Sequence, residues 1–400
     1  MSDKAYYGLP ENVEFCSKCV ISNQRPSSVV EFRETKTQKK PTIGFKEGVC
    51  DACFYHNVKE NEIDWNEREG QLKVLLDKYR SRNGSFDCIL PGSGGKDSRY
   101  TSHILKYKYN MNPLTITWTP HIYTDIGREN FESWHNDGFS NLLISPNRKL
   151  HRYLTAEAFK NLGHPFQPFI VGQRLSGAKM SVMTNIPLIF YGENQAEYGN
   201  SLEENENSLV LSKFFSDDID FEKVMLSGKS ISEHLKNTDF VKSDFNFYLP
   251  TSTKYLNNIA NHYLGYYIKW DPQEVYYFSV EKTGFRGSPH RTDGTYSQYS
   301  SIDDKIDMLH YYTTYLKFGL GRASYDAAQE IRNDKITRDE GIALVKKFDS
   351  EFPQRYLNDC LDYMEIDIEE FNAISDSLRS PHLWTKEKNE WKLKKPIWKF

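Results

Sequence analysis

No run of about 18 consecutive apolar residues occurs in the 400-residue sequence, so no membrane-spanning helix is expected. The first ten residues, Met1 to Pro10, lack both a basic segment and an apolar core, so a secretory signal is not expected either. The expected location is therefore cytoplasmic. No excess of basic charge is present: the formal net charge is −4. That balance argues against binding nucleic acid through bulk charge, although a local basic patch remains open. No internal repeat or low-complexity segment is present. The chain lacks a Walker loop, and its main glycine turn lacks the Gly-x-Gly-x-x-Gly dinucleotide fingerprint. Cysteine is scarce, with six in the chain, and none has the setting of a class I glutaminase nucleophile. Residue 2 is Ser, where a class II glutaminase needs Cys.

What the chain does have is concentrated in two places. The first is residues 86–98, where the apolar run Cys88 to Leu90 leads into Pro91-Gly92-Ser93-Gly94-Gly95-Lys96-Asp97-Ser98. A helix-compatible segment, Arg99 to Lys108, follows. A strand, a glycine turn and a helix N-terminus in succession form an anion site. Glycines let backbone N–H groups approach phosphate, and the helix dipole favours negative charge there. Lys96 supplies a point charge for phosphate, and Asp97 suits Mg²⁺. A tight turn would account for two glycines; the full set is rarer by chance.

The second place is the N-terminus. Cys16/Cys19 and Cys50/Cys53 are two Cys-x-x-Cys pairs with 30 residues between them. Such pairs read as a closed four-cysteine zinc site, with an iron–sulfur cluster or a redox pair as alternatives. The spacer Arg33 to Lys46 reads as an exposed loop. Cys88 and Cys360 stand alone.

Beyond the cysteines, Ile63 to Arg82 carries apolar residues at helical spacing. Strands are predicted at Cys88–Leu90, Leu114–Trp118, Asn141–Ser145, Ile186–Tyr191 and Tyr263–Trp270, separated by helical lengths. The pattern predicts an α/β fold: a doubly wound parallel sheet with a helical C-terminal region from Ile302. Domains are expected at 1–60, 61–290 and 291–400. Ligands on such sheets sit at the carboxyl ends of the strands. That rule gathers Thr119, His121, Asp125, Gly192, Glu193, Asn194 and Glu197 near the glycine loop. Residues 201–250, with Glu203, Glu204 and Glu206, read as an insertion lining the substrate site. The polar stretch Gly284 to Tyr299 reads as a surface connection or a ligand-binding loop.

The glycine loop resembles that of the PP-loop ATP pyrophosphatase superfamily. Several further segments narrow the resemblance: Cys16-Ser-Lys-Cys-Val with Arg25-Pro26, Cys50-Asp-Ala-Cys53, Tyr191-Gly-Glu-Asn-Gln-Ala-Glu-Tyr-Gly199, Asp293-Gly-Thr-Tyr296, Phe318-Gly-Leu-Gly-Arg-Ala-Ser324, Glu330-Ile-Arg332 and Ile336-Thr-Arg338. Together these resemble the N-acetyl sugar amidotransferase family, which forms acetamidino groups on pseudaminic, legionaminic or related sugars of flagellin or lipopolysaccharide. The resemblance implies a PP-loop fold and cleavage of ATP to AMP and pyrophosphate. An acetamido oxygen is adenylated, and ammonia then displaces AMP. Pro91 to Ser98 and Gly192 would bind ATP. Lys96, Asp97 and Glu193 would be catalytic, with Asp97 holding Mg²⁺. Asn194, Glu197, Arg286, Arg291 and Arg322 would meet the sugar acid, since arginine forks suit a carboxylate. His290 and Arg332 are further cations for that group. Ammonia would come from a separate glutaminase similar to the one in histidine synthesis. The rival is a tRNA thiolase of the same superfamily, which calls for a basic surface and catalytic cysteines near the ATP site.

Overall fold

The computed structural model describes residues 4–27, 30–31, 40–199, 216–217 and 219–400. Glu203, Glu204 and Glu206 and the spacer at 33–39 lie outside the described residues.

The core is a five-stranded sheet built from β1 (Cys88–Pro91), β2 (Pro113–Trp118), β3 (Asn141–Ile144), β4 (Leu188–Tyr191) and β5 (Ala260–Tyr263). All pairings are parallel, and the spatial order is 3-2-1-4-5. Chain direction across the sheet reverses between β1 and β4. This is the switch point at which a doubly wound sheet opens a crevice. The central strands are apolar because helices cover both faces. On one face Cys88, Leu90 and Phe190 pack with Leu72 and Leu76 of helix Trp65–Tyr79. On the other, Ile89, Ile116 and Ile189 pack with Phe169 and Met180 of helix Gln167–Thr184.

The last strand differs from the sequence expectation. It is Ala260–Tyr263, and Leu264–Tyr267 forms one helical turn instead of continuing it. The Gly265 N–H donates to the Gly192 carbonyl at 2.9 Å, so the chain folds over the loop that follows β4. The described part of 201–250 also differs. Ile231, Phe245 and Tyr248 join the apolar layer on the sheet, and the segment covers a face instead of bordering the crevice.

From Lys305 to Ser377 the chain is mainly helical, as the pattern predicts. A C-terminal hairpin, Trp384–Glu387 with Glu390–Leu393, follows it. The cysteine module packs into this region. Val20, Ile21 and Ala52 share an apolar cluster with Ala327, Ala328 and Val345. Arg338 donates to the carbonyls of Cys19 and Cys16 at 3.2 and 3.4 Å.

Candidate active site

The loop after β1 is shaped by its glycines. Gly94 has φ +86°, and a Cβ there would meet the Phe131 backbone at 2.9 Å. At Gly92 a Cβ would collide with Ser98. Gly95 is the N-cap of helix α1 (Lys96–His103) and makes no side-chain cap bond. The first N–H groups of α1 are thereby left for an anion.

Behind the loop lies Arg99, which sequence reasoning missed. It is fully buried. Its guanidinium donates to the carbonyls of Gly94 (3.0 Å), Asn130 (2.5 Å) and Thr283, and pairs with Asp137 at 2.7 Å. Burial lowers its pKa and Asp137 opposes that shift. Arg99 therefore clamps the back of the glycine loop and leaves the front open. An arginine one residue past the motif is the signal that could have marked it.

In front of the loop is a cavity of about 420 Å³. Its floor is Ser93, Gly95, Lys96, Asp97 and Glu193. Lys96 pairs with Asp97 at 2.6 Å. Burial, and then the charge of Asp97, push the Glu193 carboxyl up to about 7. Tyr198 donates its hydroxyl to that carboxyl.

The opposite wall comes from far along the chain. Tyr299 to Asp303 cross the opening, and helices α2 (Lys305–Phe318) and α3 (Arg322–Arg332) supply Asp307, Tyr311, Arg322, Tyr325, Asp326 and Glu330. The Asp303 carboxylate accepts from the Ser93 hydroxyl, joining wall to floor; burial raises its pKa against that bond. Burial likewise pushes Asp307 up to about 7, opposed by the Ser301 hydroxyl and Arg322. Arg322 pairs with Asp326 at 3.0 Å, and Thr295 donates to the same carboxylate at 2.6 Å. From the cysteine module, Arg25 also reaches the lining.

The structure thus brings Ser93, Gly95, Lys96, Asp97, Glu193 and Arg322 to one cavity. Gly192 sits close behind α1, where a Cβ would meet Thr101 Oγ1 at 3.0 Å. Other residues predicted for the site lie elsewhere. Glu197 is buried against Lys59 at 3.1 Å, and its carbonyl accepts from Arg332 at 3.0 Å. Asn194 caps the turn Gln195–Tyr198 and donates to Tyr55 at 3.3 Å. Both tie the cysteine module to the β4 loop and are outside the cavity lining. Arg286 is exposed and paired with Glu129. Arg291 makes a bidentate pair with Glu351 at 2.5 Å, also outside the lining. His290 is likewise exposed and away from the lining. His121 is buried, bonded to Asp304 at 2.7 Å and stacked on His151; Thr119 bonds the Ile144 carbonyl and Asp125 faces solvent. Most of these polar groups have a nearer partner than the cavity, while His290 and Asp125 face solvent, which residue type alone does not reveal.

The four paired cysteines converge. Their sulfurs lie within 4.8 Å of one another, with Cys16–Cys53 at 3.8 Å and Cys19–Cys50 at 3.7 Å. All four are buried, and the set can hold a metal ion. Cys88 and Cys360 are buried apart from it, and burial raises both thiols.

Residues 293–397 match the family described as LPS biosynthesis protein WbpG-like, C-terminal domain. None of the curated proteins matches the chain. Among solved structures, the U34-tRNA thiolase NcsA from Methanococcus maripaludis with its [4Fe-4S] cluster aligns over 82% of this chain and 95% of its own, at 12% identity and a TM-score of 0.28. Among the described residues no helix is long and apolar enough to cross a membrane.

Proposed function

We propose that the chain is an ATP-dependent amidotransferase of surface-glycan biosynthesis, converting an acetamido group of a sugar acid to acetamidino. One observation carries this reading. A single cavity has the glycine loop as its floor, and most of its far wall comes from the segment that matches a lipopolysaccharide-biosynthesis domain. Phosphate binding and sugar recognition, in this reading, share one space.

In this reading the N–H groups at the start of α1, with Lys96, hold the phosphates of ATP. The lining carries seven carboxylates (Asp97, Glu193, Asp271, Asp303, Asp307, Asp326, Glu330) against four cations (Arg25, Lys96, Arg322, Lys335). So acidic a space needs a cation to accept polyphosphate, and Asp97 is the carboxylate at the floor that would hold Mg²⁺. When bound, Mg²⁺ offsets the phosphate charge. The acetamide oxygen attacks the α-phosphorus and pyrophosphate leaves. Ammonia then adds to the activated carbon, loses a proton, and AMP departs with the former carbonyl oxygen. Glu193, with its pKa near neutrality, suits the acceptance of that proton. Ammonia is supplied as ammonium or by a separate glutaminase. Supply of ATP makes the cytoplasm the compartment of the reaction.

For the cysteine quartet the reading is zinc. Thiolates at about 2.3 Å around a tetrahedral ion lie about 3.8 Å apart. The Cys19–Cys50 and Cys16–Cys53 sulfur separations, 3.7 and 3.8 Å, fit that figure. A four-iron cube places each thiolate on a separate iron and spreads the sulfurs wider. Metal analysis of the purified chain is expected to give one zinc and no iron.

The test is incubation of purified protein with ATP, Mg²⁺, ¹⁵N-ammonium and acetamido sugar acids whose amide oxygen is ¹⁸O. The expected result is AMP carrying ¹⁸O, with ¹⁵N in the sugar. ADP as product, or AMP formation that requires tRNA and a sulfur donor, overturns the reading.

A further inference from the structure

The cavity cations differ in one respect. Lys96 pairs with Asp97 at 2.6 Å, Arg322 with Asp326 at 3.0 Å and Lys335 with Asp271 at 3.3 Å. Arg25 also lines the cavity, yet among the described residues it has no acid within ion-pair distance and its guanidinium donates no hydrogen bond. A buried arginine without an acceptor is costly unless something fills that role. Arg25 is 7% exposed.

Its position is built rather than incidental. The Arg25 N–H donates to the Ser22 carbonyl at 3.1 Å, and its carbonyl accepts from Ile43 at 2.9 Å. Ser22 lies three residues past Cys19, and the Cys16 N–H donates to the Ile21 carbonyl at 2.8 Å. The head group sits 4.9 Å from the Tyr325 ring centroid and 6.0 Å from that of Tyr198. Rings against the guanidinium faces hold the plane while leaving the N–H edge open. Such an edge matches two oxygens of one anionic group. Glu31, the acid that senses Arg25, feels Lys317 and Arg174 more strongly.

We propose that Arg25, presented by the cysteine module, is the receptor for an anionic oxygen group of the sugar substrate, a carboxylate or a diphosphate, in the cavity that the glycine loop also lines. The identity of the substrate rests on the reading above; the anion site itself does not. The sequence pointed to Arg286, Arg291 and Arg322 for this task; Arg322 lines the cavity but is paired with Asp326, and the other two are neutralised by acids outside it. The cysteine quartet then has a role beyond stability, because it fixes the loop that carries Arg25.

The test is titration calorimetry on the full chain, with the glycine loop filled by Mg²⁺ and α,β-methylene-ATP so that anions cannot bind there. Three probes are compared: N-acetylneuraminic acid, which carries a carboxylate; UDP-N-acetylglucosamine, which carries a diphosphate; and neutral N-acetylglucosamine. The wild-type protein is expected to bind at least one anionic probe more tightly than the neutral one, and which of the two identifies the anion. Arg25→Ala is expected to weaken that probe by about ten- to hundred-fold while leaving the neutral probe and the nucleotide unchanged. Arg25→Lys is expected to recover part of the loss. Melting temperature and metal content, measured in parallel, report whether each variant stays folded. Equal binding of anionic and neutral probes by the wild type overturns the proposal. So does an Arg25→Ala variant, or an Arg25→Lys variant if the former does not fold, that binds the anionic probe as the wild type does. If Arg25→Ala loses the anionic probe and the wild type still makes no amidine, the anion site stands and the amidotransferase reading falls.

Discussion

The floor and the far wall of the cavity are built in opposite ways. Apart from Glu193 the floor is contiguous: residues 91–98 carry their own turn, their own helix start and their own charges, and one buried arginine clamps them from behind. The wall is assembled from Arg25 near the N-terminus and, far along the chain, from 299–303 and two helices between Lys305 and Arg332. A phosphate chain is the same in every nucleotide, so a short local motif is enough to bind it. A sugar must be distinguished by shape and by scattered polar groups, and that requires distant parts of the chain. Floor changes should therefore abolish chemistry, and wall changes should alter selection.

The largest expected effect is at the floor. Asp97→Asn is expected to lower AMP formation by about 10²-fold or more while the protein stays folded, since it removes the carboxylate that would hold Mg²⁺ against the phosphates. Retained turnover with normal KM would erase the distinction between floor and wall.

Arg99→Ala should show that the floor depends on its support. Three buried carbonyls lose their donor. At about 1 kcal/mol or more each, the expected loss is about 3 kcal/mol in urea unfolding. Nucleotide binding should weaken in the variant. A stability change near zero would mean that the loop holds itself.

At the wall, Arg322→Ala is expected to raise KM for the sugar by about tenfold with little change in nucleotide affinity. Arg291→Ala is expected to leave both within about twofold, its ion pair being half exposed and remote from the cavity. Equal effects of the two variants would dissolve the wall as a distinct site.

A smaller effect is the pH dependence of stability. Asp307 rises from 3.8 to about 7 and Glu193 from 4.5 to about 7, both through burial first. A raised carboxyl leaves stability intact below its unfolded pKa and subtracts from it as pH climbs to the folded value. Without ligands, the melting temperature should fall between about pH 4 and pH 7 on this account. Asp307→Asn should flatten that fall, as a melting series across the range would show. An unchanged slope would remove Asp307 from the buried set.

Local sequence settled the elements whose information is local. The glycine loop was legible because φ +86° at Gly94 and the collision awaiting any Cβ at Gly92 demand those residues in that order. The cysteine quartet was legible because two short pairs can close only on each other or on a metal. The parallel sheet was legible from the alternation of β-branched strands with helical lengths, but the last strand was placed too late, sharing only Tyr263 with β5, because the chain turns at Gly265 onto Gly192. Partnership was not legible. Nothing in the sequence tells Arg25 from Arg291, since both are arginines in polar loops. One is left facing a cavity between two tyrosines, and the other is spent on Glu351. Only the tertiary structure decides this, because a long charged side chain takes whichever acid the fold brings within about 4 Å, and sequence distance carries no information about which acid that is.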